Sequence, residues 1–65
     1  MTTKERKKLA RKIADQERII LTSQNPHEVS EAKLEEMRLS EYLDWDDIDA
    51  VDVLVQEYLS EYKLA

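Results

Sequence analysis

Apolar residues recur along this chain at steps of three and four, the spacing of an α-helix with one buried face. The clearest run is Asp44 to Tyr62. Ile48, Val51, Val55, Tyr58 and Tyr62 form one stripe there, with Leu54 and Leu59 widening it. Asp46, Asp49, Asp52, Gln56 and Ser60 take the opposite face. An earlier run, about residues 3–23, places Leu9, Ile13, Gln16 and Ile20 together, with Ala10, Ala14 and Leu21 beside them. Either Thr2 or Thr3 can cap its start. Between the two lies a third run, about residues 26–41. Asn25 is a capping residue, Pro26 suits the first helical position, and Glu28 stands where a capping-box acid stands. Val29, Ala32, Leu39 and Leu43 share its face, whereas Leu34 and Met37 lie on another side. A middle helix with two apolar sides is expected where it touches two neighbours, or where one side meets another chain. The last helix is expected over about residues 45–63, with Ser40 and Asp44 both suited to the cap before it.

Three helices with short connections favour antiparallel neighbours, so the pattern predicts an all-α, up-down-up three-helix bundle. Composition agrees. The 65 residues include no glycine and one proline, whereas tight hairpins rely on glycine. There is no cysteine, hence no disulfide or thiolate metal site. A single domain of about this size is marginally stable, which leaves dimerisation open as a source of further burial. No run of about 20 apolar residues is present to span a bilayer, and no apolar segment follows the basic start as in a secretory signal. These features point to a cytoplasmic protein without membrane association.

Charge adds an asymmetry to the net −5. Lys4, Lys7, Lys8 and Arg11 crowd the first helix, and with Arg18 they fill its solvent side. Like-charge pairs four apart, such as Lys4/Lys8 and Lys7/Arg11, each cost about 0.2–0.5 kcal/mol, and cations oppose the dipole at that end. Acids crowd the start of the third helix. In an up-down-up bundle helices one and three are parallel, so Asp44 to Asp52 would stand beside Lys4 to Arg11 and offset them.

Candidate chemistry is sparse. The Asp44–Asp52 acids lack the glycine and the twelfth-position glutamate of a calcium loop, so they read as a dipole-favoured helix start. His27 is the only histidine and has no ligand-spaced partner. No metal or other cofactor is expected, and neither a glycine-rich phosphate loop nor a triad spacing is present. The stretch Leu39-Ser40-Glu41-Tyr42-Leu43-Asp44 resembles the Ser-x-x-Leu-Asp signature of small helical phosphatases acting on sporulation response regulators. That match spans six residues. Glu41 stands where glutamine is usual and the flanking hairpin length differs, so no activity is carried over.

The expectation is therefore a small non-enzymatic, intracellular protein-binding or regulatory module acting through helical surfaces. Lys4, Lys7, Lys8 and Arg11 would meet an acidic partner; Asp46, Asp49 and Asp52 would meet a basic one. Leu34 and Met37 are the apolar residues that a partner protein or a second copy would cover, with Val53 and Leu64 also left over by the core faces. Three alternatives stand beside this reading: nucleic-acid binding through the basic face of helix one, an acidic surface that mimics DNA, and a purely structural homo-oligomer. No aromatic residue interleaves with the basic set, which speaks against stacking on single strands. Trp45, Tyr42, Tyr58 and Tyr62 are expected in the core or at its rim.

Overall fold

In the computed structural model, which describes residues 1–63, the chain forms three helices: α1 (Thr3–Thr22), α2 (Pro26–Ser40) and α3 (Trp45–Glu61). They make a small all-α three-helix bundle. Each begins at the residue its pattern predicts and stops one or two residues early, where the chain turns. Leu64 lies outside the described residues.

The helix starts follow local chemistry. Thr2 caps α1 by a capping box: its hydroxyl accepts from the Glu5 amide, and the Glu5 carboxylate accepts from the Thr2 amide, both at 3.1 Å. That reciprocal arrangement forms here and not at Glu28. Asn25 Oδ1 instead accepts from the amides of His27, at 3.0 Å, and Glu28, at 3.5 Å. Asp44 is the N-cap residue of α3, but its side chain makes no capping bond. With no glycine to end α3, Lys63 takes the left-handed conformation after the helix, with φ of 63°.

The connections run α1 antiparallel to α2 and parallel to α3. Pairings fix the second direction: Arg6 meets Asp47 at one end, and Arg11 and Asp15 meet Tyr62 at the other. The core is Ala10, Ile13, Ala14, Leu39, Val51, Val55 and Leu59, with Leu9, Leu43, Leu54, Tyr58 and Tyr62 packed around it.

The helix between two neighbours is α1, not α2. Both α2 and α3 pack against α1, and no Cα of α2 comes within 8 Å of one in α3. With both neighbours on α1 and no such approach between α2 and α3, the bundle is an open V with α1 at the vertex. Ala10 and Ala14, both fully buried, give α1 the slim flank that two neighbours need.

The open geometry corrects several expectations. Ile48, on the expected core stripe, is 39% exposed, because the side it would face in a closed bundle is where α2 stays away. Trp45 is 90% exposed and Tyr42 74% exposed, whereas Tyr58 and Tyr62 are half-buried as expected. Leu21 is exposed beyond the last turn that α3 covers. The i, i+4 row Asp47, Val51, Val55, Leu59 forms the buried line of α3, and its first member is an acid.

Candidate functional site

The α1–α3 seam absorbs part of the charge. Asp47 is 4% exposed, and its Oδ1 accepts from Arg6 Nε and lies 2.8 Å from both Nε and Nη2 of that guanidinium. The Met1 ammonium is 4.0 Å from Oδ2. Thus the parallel pairing of the basic and acidic helix starts reduces, at side-chain level, to one built ion pair. Further along, Arg11 lies 3.7 Å over the Tyr58 ring, donates to the Tyr62 hydroxyl at 3.1 Å and pairs with Glu61 at 3.3 Å. Tyr62 in turn donates to Asp15 Oδ1 at 2.9 Å, and Arg18 stands 5.0 Å from the Tyr62 ring. Arg11 is therefore used inside the fold, its proton held more tightly chiefly by the Tyr62 hydrogen bond. Of the basic candidates, Lys4, Lys7 and Lys8 are exposed and make no ion pair among the described residues.

The open side of the V is a groove between α2 and α3. Ile13, Val51 and Val55 form its floor, and Leu43 and Ile48 lie toward one end. Glu36 and Ser40 wall it on the α2 side; Asp52 and Gln56 wall it on the α3 side; Glu17 reaches in from α1. Its volume is about 340 Å³. Three of its lining residues are acidic and none is basic. On α3, Trp45 lies on the helical row of Ile48, Asp52 and Gln56, one turn nearer the helix start. On the α2 shoulder, a neighbouring depression of about 520 Å³ shares Glu36 and Ser40 with the groove and is lined by Met37, which is 65% exposed.

Glu36 is the most perturbed titratable group. Burial pushes its carboxyl up to about 7, reinforced by a hydrogen bond with Glu17 and by that residue's charge. Glu5, by contrast, is held below the usual carboxylate range by its capping bonds to Thr2.

The nine residues singled out from sequence thus separate. Asp52 lines the groove and Met37 its shoulder. Asp46 and Asp49 are exposed on α3, and Leu34, 56% exposed, sits in a separate shallow depression with Glu31, Glu35 and Arg38. Lys8 lines a third depression, of about 610 Å³, with Lys12, Arg38, Leu9 and Tyr42, and with the acids Glu5 and Glu35. An aromatic ring does therefore stand beside part of the basic set. Sequence reasoning missed Glu17, Glu36 and Trp45. Two glutamates on different helices carry no spacing signal, and Trp45, expected in the core or at its rim, is 90% exposed.

Among the described residues no three His, Asp or Glu side chains gather in a way that could hold a metal ion. No helix is long and apolar enough to cross a membrane. No protein-family model, curated protein or solved structure matches the chain.

Proposed function

We propose that this chain is a small non-enzymatic, intracellular protein-binding or regulatory module whose binding surface is the α2–α3 groove. The observation that carries the reading is the open side of the bundle. Two helices are splayed across a third; Ile48, 39% exposed, lines the groove between them, and Met37, 65% exposed, lines the depression on its α2 shoulder. A domain this short has few apolar residues to spare for solvent. Exposed apolar side chains beside a groove are a place for a partner to cover. Helix-in-groove recognition uses such a surface without any change in the domain itself.

The test is affinity capture by the wild-type chain against the double variant Trp45→Ser/Met37→Ser. Both residues are exposed, so the variant should keep its melting temperature to within about 0.5 kcal/mol of stability. A protein held by the wild type and released by the variant supports the reading. Identical captures by both, or none by either, count against it.

A second reading, nucleic-acid binding, is favoured by the depression that brings Tyr42 to Lys8, Lys12 and Arg38. It predicts retention on single-stranded DNA at low salt, lost steeply as salt rises and weakened by Tyr42→Ala. No retention at low salt ends that reading.

A further inference from the structure

We propose that the outward face of α2 is a self-association surface, on which two copies of this chain pair antiparallel, with Leu34 of each against Met37 of the partner subunit. This surface lies away from the groove and stands independently of it. Of the two apolar sides of α2, one is used. Ala32 and Leu39, seven residues apart, are its buried residues, and α1 is the helix they meet. A second apolar side is expected where a middle helix touches a second neighbour, yet α2 has no contact with α3. Leu34 and Met37 are left centred half a turn away from the buried pair, 56% and 65% exposed. The row through them is longer than two residues. His27, Ser30, Leu34, Met37 and Glu41 follow the alternating three- and four-residue steps of a two-stranded seam, and all five are exposed. The apolar pair holds the centre of that row with a depression on each side: Glu31 and Arg38 flank Leu34 in one, and Lys33 and Ser40 flank Met37 in the other.

Charge selects what covers the row, and in which direction. Side chains that flank a two-helix seam meet across it and set partner and orientation. Glu31 and Arg38 lie on one side of the row, and Lys33 and Ser40 on the other. In an antiparallel pair each side meets the same side of the second helix. A twofold axis between Leu34 and Met37 therefore sets Glu31 against Arg38 of the partner subunit, and Arg38 against the partner's Glu31. Lys33 meets the uncharged Ser40 of the partner subunit. A parallel pair instead sets Lys33 against the partner's Arg38 twice, which repels. The face is thus complementary to itself in one orientation only. Glu31 and Arg38 are free to turn to a second chain. Their present contacts, to His27 at 3.0 Å and to Glu35 at 3.7 Å, are exposed pairs within the helix that cost little to exchange. With two apolar residues a side the interface is small, so the dimer is expected to populate on the order of 0.1–1 mM.

Sedimentation equilibrium over about 0.02–1 mM, with amide spectra over the same range, is the test. The average mass should rise with concentration toward that of two chains, and dilution should move the amides of Ser30, Leu34, Met37 and Glu41. Leu34→Asp should weaken association by about tenfold or more, as should Arg38→Glu, which brings two acids together at Glu31. Adding Glu31→Arg to Arg38→Glu restores the pairing with its charges exchanged, and should return association to within about threefold of wild type. These positions are exposed, and circular dichroism confirms that each variant keeps its helices. Leu34, unlike Met37, lies outside the groove and its shoulder, so its variant separates the two surfaces. A mass that stays at one chain up to about 1 mM overturns the proposal. So does association that Leu34→Asp leaves unchanged, or a set of amide changes centred on Ile48 and Asp52. Tighter association of Arg38→Glu overturns it in favour of a parallel pair, which gains from reversing the charge opposite Lys33. Failure of the double variant to recover removes the Glu31–Arg38 pairing and the proposal with it.

Discussion

Asp47 shows how one residue can be misjudged by its neighbours in sequence and explained by its neighbours in space. It sits among five aspartates at the start of α3, yet it alone is buried, because it opens the row that continues as Val51, Val55 and Leu59. A carboxylate there needs a partner, and Arg6 supplies one at 2.8 Å from across the seam. Removing one member of a buried pair leaves the other uncompensated. Since Arg6 keeps about a third of its side chain in water (32% exposed), solvent screens much of that cost. Asp47→Ala should therefore destabilise the domain by about 1–2 kcal/mol in urea unfolding, whereas Asp46→Ala should change it by less than about 0.5 kcal/mol. The opposite sign is expected at Lys63. Its positive φ is a strained setting for any residue with a Cβ, and glycine relieves it. Lys63→Gly should raise stability by about 0.5–1 kcal/mol, provided the turn after α3 persists, and its midpoint in the same urea titration checks this.

At the scale of the element, α1 is the helix that the others depend on. It is locally the weakest design, with like charges four apart and cations at its positive end, yet it contacts both neighbours. Ala10 and Ala14 make this work, since two helices can lie against α1 only where its side chains are short. Ala14→Leu should push a neighbour off its seat and cost about 1–3 kcal/mol, while Leu34→Ala, at an exposed position of α2, should fall within about 0.5 kcal/mol of wild type. Thermal melts of the two variants decide this. The same helix shows where sequence reading stops. Periodicity located all three helices, their caps and most of the core, because burial of one face is a local property of spacing. It could not place the neighbours around α1, because whether two partners lie together or apart is decided by packing between distant residues. Ile48 is expected on the core stripe and Trp45 in the core or at its rim, and the structure exposes both, at 39% and 90%. For the same reason the Glu17–Glu36 wall was invisible: each glutamate alone reads as a solvated residue.

Across the whole molecule, the open V and the distribution of charge act on each other, and the consequence is a pH dependence of unusual sign. Carboxylates in folded domains mostly gain partners, so acid destabilises. Here the largest shift runs the other way. Glu36 is raised to about 7 by burial and by Glu17, so the folded state binds its proton more tightly than the unfolded chain does. A group raised in this way contributes stability that is fully present below the ordinary carboxylate value and lost as pH climbs through about 7. The window is thus about 4.5 to 7, above the range in which Glu5, held low by Thr2, begins to lose its capping bond. The domain should become more stable when taken from about pH 8 to pH 5, by about 1 kcal/mol once the shift is discounted for the solvent that reaches an open groove. Glu36→Gln keeps the hydrogen bond to Glu17 without the second charge. It should match the wild type near pH 5, exceed it near pH 8 and flatten the profile between. His27, at the exposed start of α2, pairs with Glu31 at 3.0 Å and lies away from Glu36, so His27→Gln should leave the slope in place. Urea midpoints for the three proteins at both pH values are sufficient. A wild type that loses stability on acidification to pH 5, or a Glu36→Gln variant with an unchanged slope, would show that burial and Glu17 do not raise the Glu36 carboxyl.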